Sequence, residues 1–391
     1  MKNLKEVILM NIHVVRRGDT VWELSRRYGV SMESITQVNQ LQDIPGLVLG
    51  QALVIPTGVP SKKYGYVEAN GYIEPSNAGK EANIVTDVGT YLTYISPFSY
   101  QVNYDGTLNS IRDDTILSTS RTFRIAPLLV ITNFRNGNFD SNLAHTIISS
   151  NAITQSLISN VLTILRNKRY YGLNVDFERI PAEDRQLYND FLRKVVAALR
   201  PAGFVVSTAL APKTSDIQTG AWHGAHDYAA HGQIVDFVVL MTYEWGWSGG
   251  PPMAVAPIKQ VRAVVNYALS VMPAKKIMIG MALYGYDWPL PYMPGGGWAK
   301  RVSPQDAYKL AAQYGATVHF DQESKSPFFN YHDSRKVEHV VWFEDAQSVQ
   351  DKYRMVSELG LRGVSYWVLG EEFPQNWAVL DDMFHIVKVI Q

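Results

Sequence analysis

At 391 residues the chain exceeds one average domain and suits two, one of them large. Lys plus Arg equals Asp plus Glu at 36 each, which leaves no field to attract nucleic acid or an anionic membrane. Zero cysteines exclude disulfides, thiolate catalysis and cysteine-ligated zinc, and no apolar run approaches the roughly 20 residues that span a bilayer. Aromatic residues are plentiful, with 9 Trp and 22 Tyr. Their flat apolar faces and polar edges suit a ligand built like a sugar. The first ten residues carry charge ahead of a four-residue apolar patch, too short for a secretory leader and followed by no small-residue cleavage site.

The first segment reads as strand, helix, helix, strand. Ile12–Val15 is a strand, Arg16–Asp19 a turn, and Thr20-Val-Trp-Glu23 a capping box opening a helix to about Tyr28. A second helix runs from Ser31 to about Val38, residues 39–50 form a loop, and Ala52–Ile55 closes as a strand before Pro56. His13-Val-Val, Gly18-Asp-Thr-Val-Trp, Leu24, Tyr28-Gly-Val, Ile35, Asn39, Leu49-Gly-Gln and Leu53-Val-Ile-Pro56 resemble a LysM module over residues 12–57. That resemblance implies binding of N-acetylglucosamine-containing glycans between Gly18, Asp19 and Thr20 on one side and the loop after Asn39 on the other. A plain βααβ domain without ligand is the competing reading. Residues 58–64 read as a linker stiffened by Pro60.

From residue 65 onward apolar strand-like runs alternate with longer amphipathic stretches. The expected strands are Tyr66–Ile73, Tyr91–Ser96, Ile125–Thr132, Gly172–Glu178, Phe204–Ala209, Phe237–Thr242, Ile277–Leu283 and Gly363–Val368. Eight near-continuous apolar strands with helical crossovers predict an α/β fold, a (β/α)8 TIM barrel, over residues 65–391. The long gap before Gly363 leaves room for a small α+β insertion at about 287–345, with a helix at Pro304–Tyr314 and strands at Thr317–Phe320 and His339–Trp342.

The fourth strand carries the chemistry. Along Gly172-Leu-Asn-Val-Asp-Phe-Glu178, Asn174, Asp176 and Glu178 point one way, and Leu173, Val175 and Phe177 the other. Stacking so many polar groups on one buried face is costly unless a site uses them. An Asp-x-Glu pair alone is weak, since most such pairs are solvated edges. Other strand ends strengthen it: Thr132-Asn133, Met241-Thr-Tyr243-Glu244-Trp245, Leu283-Tyr-Gly-Tyr286 and Ser365-Tyr-Trp367 all bring polar or aromatic groups to the same rim, where a barrel of this kind holds its active site.

This constellation resembles glycoside hydrolase family 18, whose strand-four signature is Asp-x-x-Asp-x-Asp-x-Glu. Here Tyr171 and Asn174 replace the first two aspartates, and Asp176 and Glu178 keep the last two positions. Leu129-Val-Ile-Thr-Asn133, Tyr243 through Met253 and Phe373-Pro-Gln-Asn-Trp377 are similar to the spore cortex-lytic N-acetylglucosaminidases of endospore-forming bacteria. The resemblance implies a retaining hydrolase without cofactor or metal, in which the substrate's own 2-acetamido oxygen attacks and an oxazolinium ion forms. It makes Glu178 the general acid, Asp176 the partner of the acetamido N–H, and Tyr243 the group that orients the acetamido carbonyl. Trp367 would floor the sugar, with Asn174, Met241, Asn133, Glu244, Tyr286 and Trp245 lining the site. Asn174 can donate a hydrogen bond to Asp176, which predicts that Asp176 stays ionised to lower pH than in relatives with Asp at position 174. Burial and the charge of Asp176 are expected to raise the Glu178 pKa.

The expected substrate is peptidoglycan, with spore cortex fragments the first choice, met by a monomer deposited in the spore without a signal peptide or otherwise bound to the cell wall. A chitinase of the same family is the alternative, and a catalytically dead lectin the alternative from another class. Neither nucleic acid nor membrane is an expected partner. His223 and His226 have i, i+3 spacing that could hold a metal on a helix, but a loop bearing surface histidines is the simpler reading.

Overall fold

The computed structural model describes residues 10–58, 60–217, 220 and 222–391. The leader question raised by the first ten residues therefore lies, except for Met10, outside the described residues. Eight parallel strands close into a barrel: Tyr66–Ile73, Tyr94–Pro97, Ala126–Thr132, Gly172–Asp176, Val205–Leu210, Phe237–Leu240, Ile277–Ala282 and Gly363–Trp367. The ring shuts where Gly363–Tyr366 pairs with Glu68–Gly71. This is the TIM barrel expected from the apolar runs. The second strand begins three residues later than expected, because Gly89–Tyr91 is a 3₁₀ turn. The fourth ends at Asp176, so Glu178 stands just past the strand.

The inside of the barrel is layered. Near the strand starts it is plugged by Tyr94, Ala126, Leu128, Phe237, Val239 and Met278, with the Arg362 guanidinium 4.6 Å from the Phe237 ring and paired to Glu68 at 2.6 Å. Above the plug lies a polar layer. Asn70 donates to Ser365 at 2.9 Å, Ser96 donates to Asn70 at 2.8 Å, Asn174 donates to Ser207 at 3.0 Å, and Tyr72 donates to Asn174 at 3.0 Å. Those bonds make burial of the amides and hydroxyls tolerable. Outside the strands, Leu173, Val175 and Phe177 join the main core, with Phe177 stacked at 5.7 Å on Phe191 of helix Arg185–Leu199.

Between the seventh and eighth strands the chain forms a five-stranded antiparallel sheet, in the order Lys300–Val302, Gly285–Pro289, Glu338–Trp342, Ser326–His332, His319–Asp321. Helix Pro304–Gln313 packs on it, N-capped by Ser303. Strand Ser326–His332 was not anticipated from its sequence, which mixes apolar and polar residues without strict alternation.

The N-terminal unit has helices Val21–Tyr28 and Met32–Val38 between antiparallel strands Asn11–Val14 and Ala52–Ile55. Both halves of the Thr20–Glu23 capping box are formed. The unit is not a bead on a string. Leu24, Ile35, Leu53 and Ile55 share one buried cluster with Val302, Tyr308, Val318, Phe329 and Phe343 of the insertion. Val318 N–H donates to the Leu49 carbonyl at 2.8 Å, and the Tyr308 hydroxyl accepts from Ala52 N–H at 3.3 Å. Gly50, at φ +81°, lies so close to Val318 that a Cβ there would stand 1.9 Å from its carbonyl oxygen. The segment read as a linker is likewise fastened. Ser61 and Lys62 donate backbone N–H groups to Asp382, and Tyr64 donates to Met383.

Candidate active site

Asn174, Asp176 and Glu178 are all buried, at 1%, 5% and 9% exposure. They do not share one fate. Asn174 belongs to the polar layer, its amide nitrogen given to Ser207 and its oxygen taken by Tyr72. The expectation that Asn174 donates to Asp176 is therefore corrected: both ends of the amide are spent one step deeper in the barrel. Asp176 Oδ1 is buried and has no hydrogen-bond partner.

Burial, followed by the charge of Glu178, pushes the Asp176 carboxyl well above the ordinary carboxylate range. With both ends of Asn174 bonded elsewhere, the expected support for an ionised Asp176 is absent in the free protein. Burial also pushes Glu178 up, to about 7, against the Trp222 N–H and the Arg179 charge, which pull it down. Ionising either carboxyl opposes ionising the other, so the pair carries a proton into neutral solution.

The main chain at Glu178 is clamped by Asn133. Its Oδ1 accepts from Glu178 N–H at 3.0 Å, while its Nδ2 donates to the carbonyls of Glu178 at 2.9 Å and Asp140 at 3.0 Å. Asn133 is fully buried, so its side chain positions Glu178 and is not free to meet a sugar as expected. The chain then turns sharply at Arg179, φ +53°, whose carbonyl accepts from Ser141 at 2.6 Å.

Tyr243 lies on Gly280 of the seventh strand, where an added Cβ would meet its ring at 2.6 Å; only glycine leaves that berth open. Burial, with Tyr72, Asp176 and Glu178 nearby, keeps the Tyr243 hydroxyl protonated far above its usual range. Glu244 follows at φ +67°. Its Oε1 accepts from Tyr286 at 2.9 Å and also from Tyr284, so Glu244 and Tyr286 brace each other. Burial outweighs these bonds and raises the Glu244 pKa.

Trp367 meets Tyr72 at 5.6 Å and Phe98 at 4.8 Å, both edge to face, and stays partly exposed. Met241, also partly exposed, follows the sixth strand with its N–H on the Leu210 carbonyl. Trp245 is partly exposed, its backbone bonded to Val255 and its ring packed on the barrel core. The exposed rings nearby are Trp247, at 44%, and Trp298, at 73%, set edge to face at 5.9 Å.

The largest residue missed in the sequence is Trp222. Its indole N–H donates to Glu178 Oε2 at 3.0 Å. Its neighbour His226 is also no metal ligand: Nδ1 accepts from Ala211 N–H and Nε2 donates to the Phe177 carbonyl. Among the described residues no group of three or more His, Asp or Glu side chains could hold a metal ion.

The residues assigned to glycan binding in the N-terminal unit are mostly committed elsewhere. Asn39 is fully buried and ties Val54 N–H, Val54 O and Ile35 O to its amide. Asp19 accepts from His13 and from Arg16 N–H, each at 2.8 Å, and Thr20 caps its helix. Gly18, at φ +91°, has open space around it.

Comparison with known proteins agrees with this architecture. Residues 132–372 match the glycosyl hydrolases family 18, and residues 13–56 match the LysM domain. The cortical fragment-lytic enzyme of Bacillus subtilis (strain 168) is 43% identical over an alignment of 427 positions, covering 97% of this chain and 99% of that protein. The Bacillus cereus spore cortex-lytic enzyme SleL superposes with a TM-score of 0.93 at 38% identity, over 97% of this chain and 100% of its own. A chitinase from Chromobacterium violaceum superposes with a TM-score of 0.74 at 25% identity, over 81% and 98%. With a family match over more than half its length and a near full-length relative at that identity, the chain belongs to glycosyl hydrolase family 18.

Proposed function

We propose that this protein is an N-acetylglucosaminidase that cleaves β-1,4 bonds after N-acetylglucosamine in peptidoglycan, with spore cortex fragments as its substrate, by substrate-assisted retention. The observation that carries the reading is Asp176 Oδ1, a buried acceptor without a donor on a carboxyl that shares a proton with Glu178. An acetamido N–H supplies the missing bond. Once that N–H and the growing positive charge of an oxazolinium stand against Asp176, its ionised form is favoured and the shared proton resides on Glu178. Glu178 then protonates the glycosidic oxygen, and the tethered acetamido oxygen attacks at high effective concentration. Tyr243 directs that oxygen, and Trp367 floors the ring. Water opens the oxazolinium with Glu178 as base, so the anomeric configuration is retained.

Peptidoglycan is favoured over chitin by relatives whose names specify cortex, matched along nearly the whole chain at 43% identity against 25% for the chitinase. The same names favour the spore as its place of action. Chitin remains the second reading because the chitinase shares the barrel. Mass spectrometry of products from purified cortex fragments separates the two. New N-acetylglucosamine reducing ends, reduced at least ~100-fold in Glu178→Gln, are expected. Cleavage of chitin oligomers with cortex left intact would transfer the assignment to chitin.

A further inference from the structure

The Glu178 carboxylate is held from outside the barrel by a side chain 44 residues away. Trp222 rides on the connection between the fifth strand and helix Tyr228–Ile234. The root of that connection is pinned: Ala211 N–H bonds His226, Lys213 N–H bonds the Tyr228 hydroxyl, and His226 bonds the Phe177 carbonyl on the catalytic segment itself. Gly224 lies against Ala182, where a Cβ would approach to 2.4 Å. Yet Trp222 is 49% exposed. The fixed root delivers the indole N–H to Oε2, and the ring faces solvent with the Arg179 guanidinium 5.9 Å from its centre.

A tryptophan N–H can only donate. It therefore bonds the carboxylate form of Glu178 better than the acid form, and the Arg179 charge pulls the same way. This is opposite to what the reaction needs, since Glu178 must begin as an acid. The leaving sugar must also lie against this carboxyl, because its oxygen takes the proton. The Trp222 N–H already holds Oε2 of that carboxyl.

We propose that Trp222 is a positioning residue that draws Glu178 toward its ionised state in the free enzyme, and that the leaving-group sugar, on seating, displaces the indole N–H and lets Glu178 take the proton it shares with Asp176. The inference rests on Glu178 being the acid of the proposed reaction. It gives the enzyme an acid that is armed by the substrate.

The other groups that face Glu178 do not supply this switch. Asp176 on the same strand opposes its ionisation. Tyr72 from the first strand and Tyr243 from the sixth are held neutral, with pKa values well above their ordinary range. His226, pushed down to about 4 by burial, is neutral wherever Glu178 titrates. Arg179 is adjacent in sequence and its charge lowers the Glu178 pKa. Of these neighbours, Trp222 combines a direct bond to the carboxylate with substantial exposure.

The test is the pH dependence of turnover of soluble cortex fragments by the full-length protein and by Trp222→Phe, which removes the N–H and keeps an aromatic ring. The basic limb of kcat/KM reports the free enzyme, and that of kcat the complex. In the wild type the kcat limb should lie at the higher pH. In Trp222→Phe the kcat/KM limb should rise by about one pH unit to meet it, with the kcat limb unmoved. Two limbs that remain as far apart as in the wild type, or that move together, overturn the proposal.

Should Trp222→Phe turn over too slowly, the substrate-free proteins decide. In ¹³C-carboxyl NMR, the glutamate signal missing from Glu178→Gln should titrate at higher pH in Trp222→Phe, and an unchanged midpoint overturns the proposal. Wild-type turnover by Glu178→Gln would instead remove the assignment of the acid itself.

Discussion

Asp19 and Asp176 are both aspartates with covered side chains, 8% and 5% exposed, and both fall in segments that resemble a family's binding or catalytic motif. Their surroundings are opposite. Asp19 is surrounded by donors: Arg16 N–H foremost, then His13, with Arg27 at 3.5 Å, and its pKa is lowered accordingly. Asp176 has one oxygen with no donor at all, and burial, followed by the charge of Glu178, raises its pKa. A carboxylate saturated by its own chain is part of the scaffold. One left short of donors is waiting for a ligand, and the fold carries its cost. The difference separates a structural motif from a reactive one more sharply than the motif patterns do.

The two regions should break in opposite ways. The largest effect is expected from Leu53→Ala, in the cluster shared by the N-terminal unit and the insertion. A buried Leu→Ala change costs about 2–5 kcal/mol. Because the cluster spans both units, calorimetry should show one lowered transition with activity lost alongside it. A separate early transition with the barrel melting at its usual temperature would show the N-terminal unit to be independent.

Asp19→Asn should cost about 1 kcal/mol at neutral pH, measured by denaturant unfolding. A group whose folded pKa is lowered contributes stability above its unfolded pKa of about 3.9 and loses it as pH falls through the folded value. The deficit should therefore fade below about pH 4. A deficit independent of pH would mean that the carboxylate charge is not what the donors hold.

Asp176→Asn should have the smallest effect on stability and the reverse sign. A carboxyl whose folded pKa is raised costs stability as pH climbs past its unfolded pKa, up to the folded value. Removing the charge should raise the melting temperature by about 1–3 °C near neutral pH, with no gain below about pH 4. Activity should be lost at every pH. A variant no more stable than the parent at pH 8 would mean that Asp176 finds a donor in solution.

The barrel was legible because its strands are buried on both faces and leave unbroken apolar runs, such as Ala126–Thr132. Asp176 and Glu178 were legible because strand alternation makes a polar stack conspicuous. What escaped is what only the closed fold brings together. Trp222 sits in a connection with no periodicity of its own, and nothing near it in sequence points at Glu178. Asn39 and Asn133 were misjudged for a different reason: an amide that ties up its own backbone looks the same in sequence as one that grips a sugar. Likewise nothing in the sequence pairs Tyr308 with Ala52, which lies 256 residues earlier and bonds it.

The bond from Val318 to Leu49, with Gly50 pressed beside it, bears on how the protein would travel over a wall. A module on a leash lets the blade sweep every strand within reach of its anchor. Here the anchor and the blade share one chassis, so a strand gripped by the LysM domain would meet the barrel at a single heading and a single span. Such an enzyme advances by letting go, and its grip must be weak enough to be broken at each step.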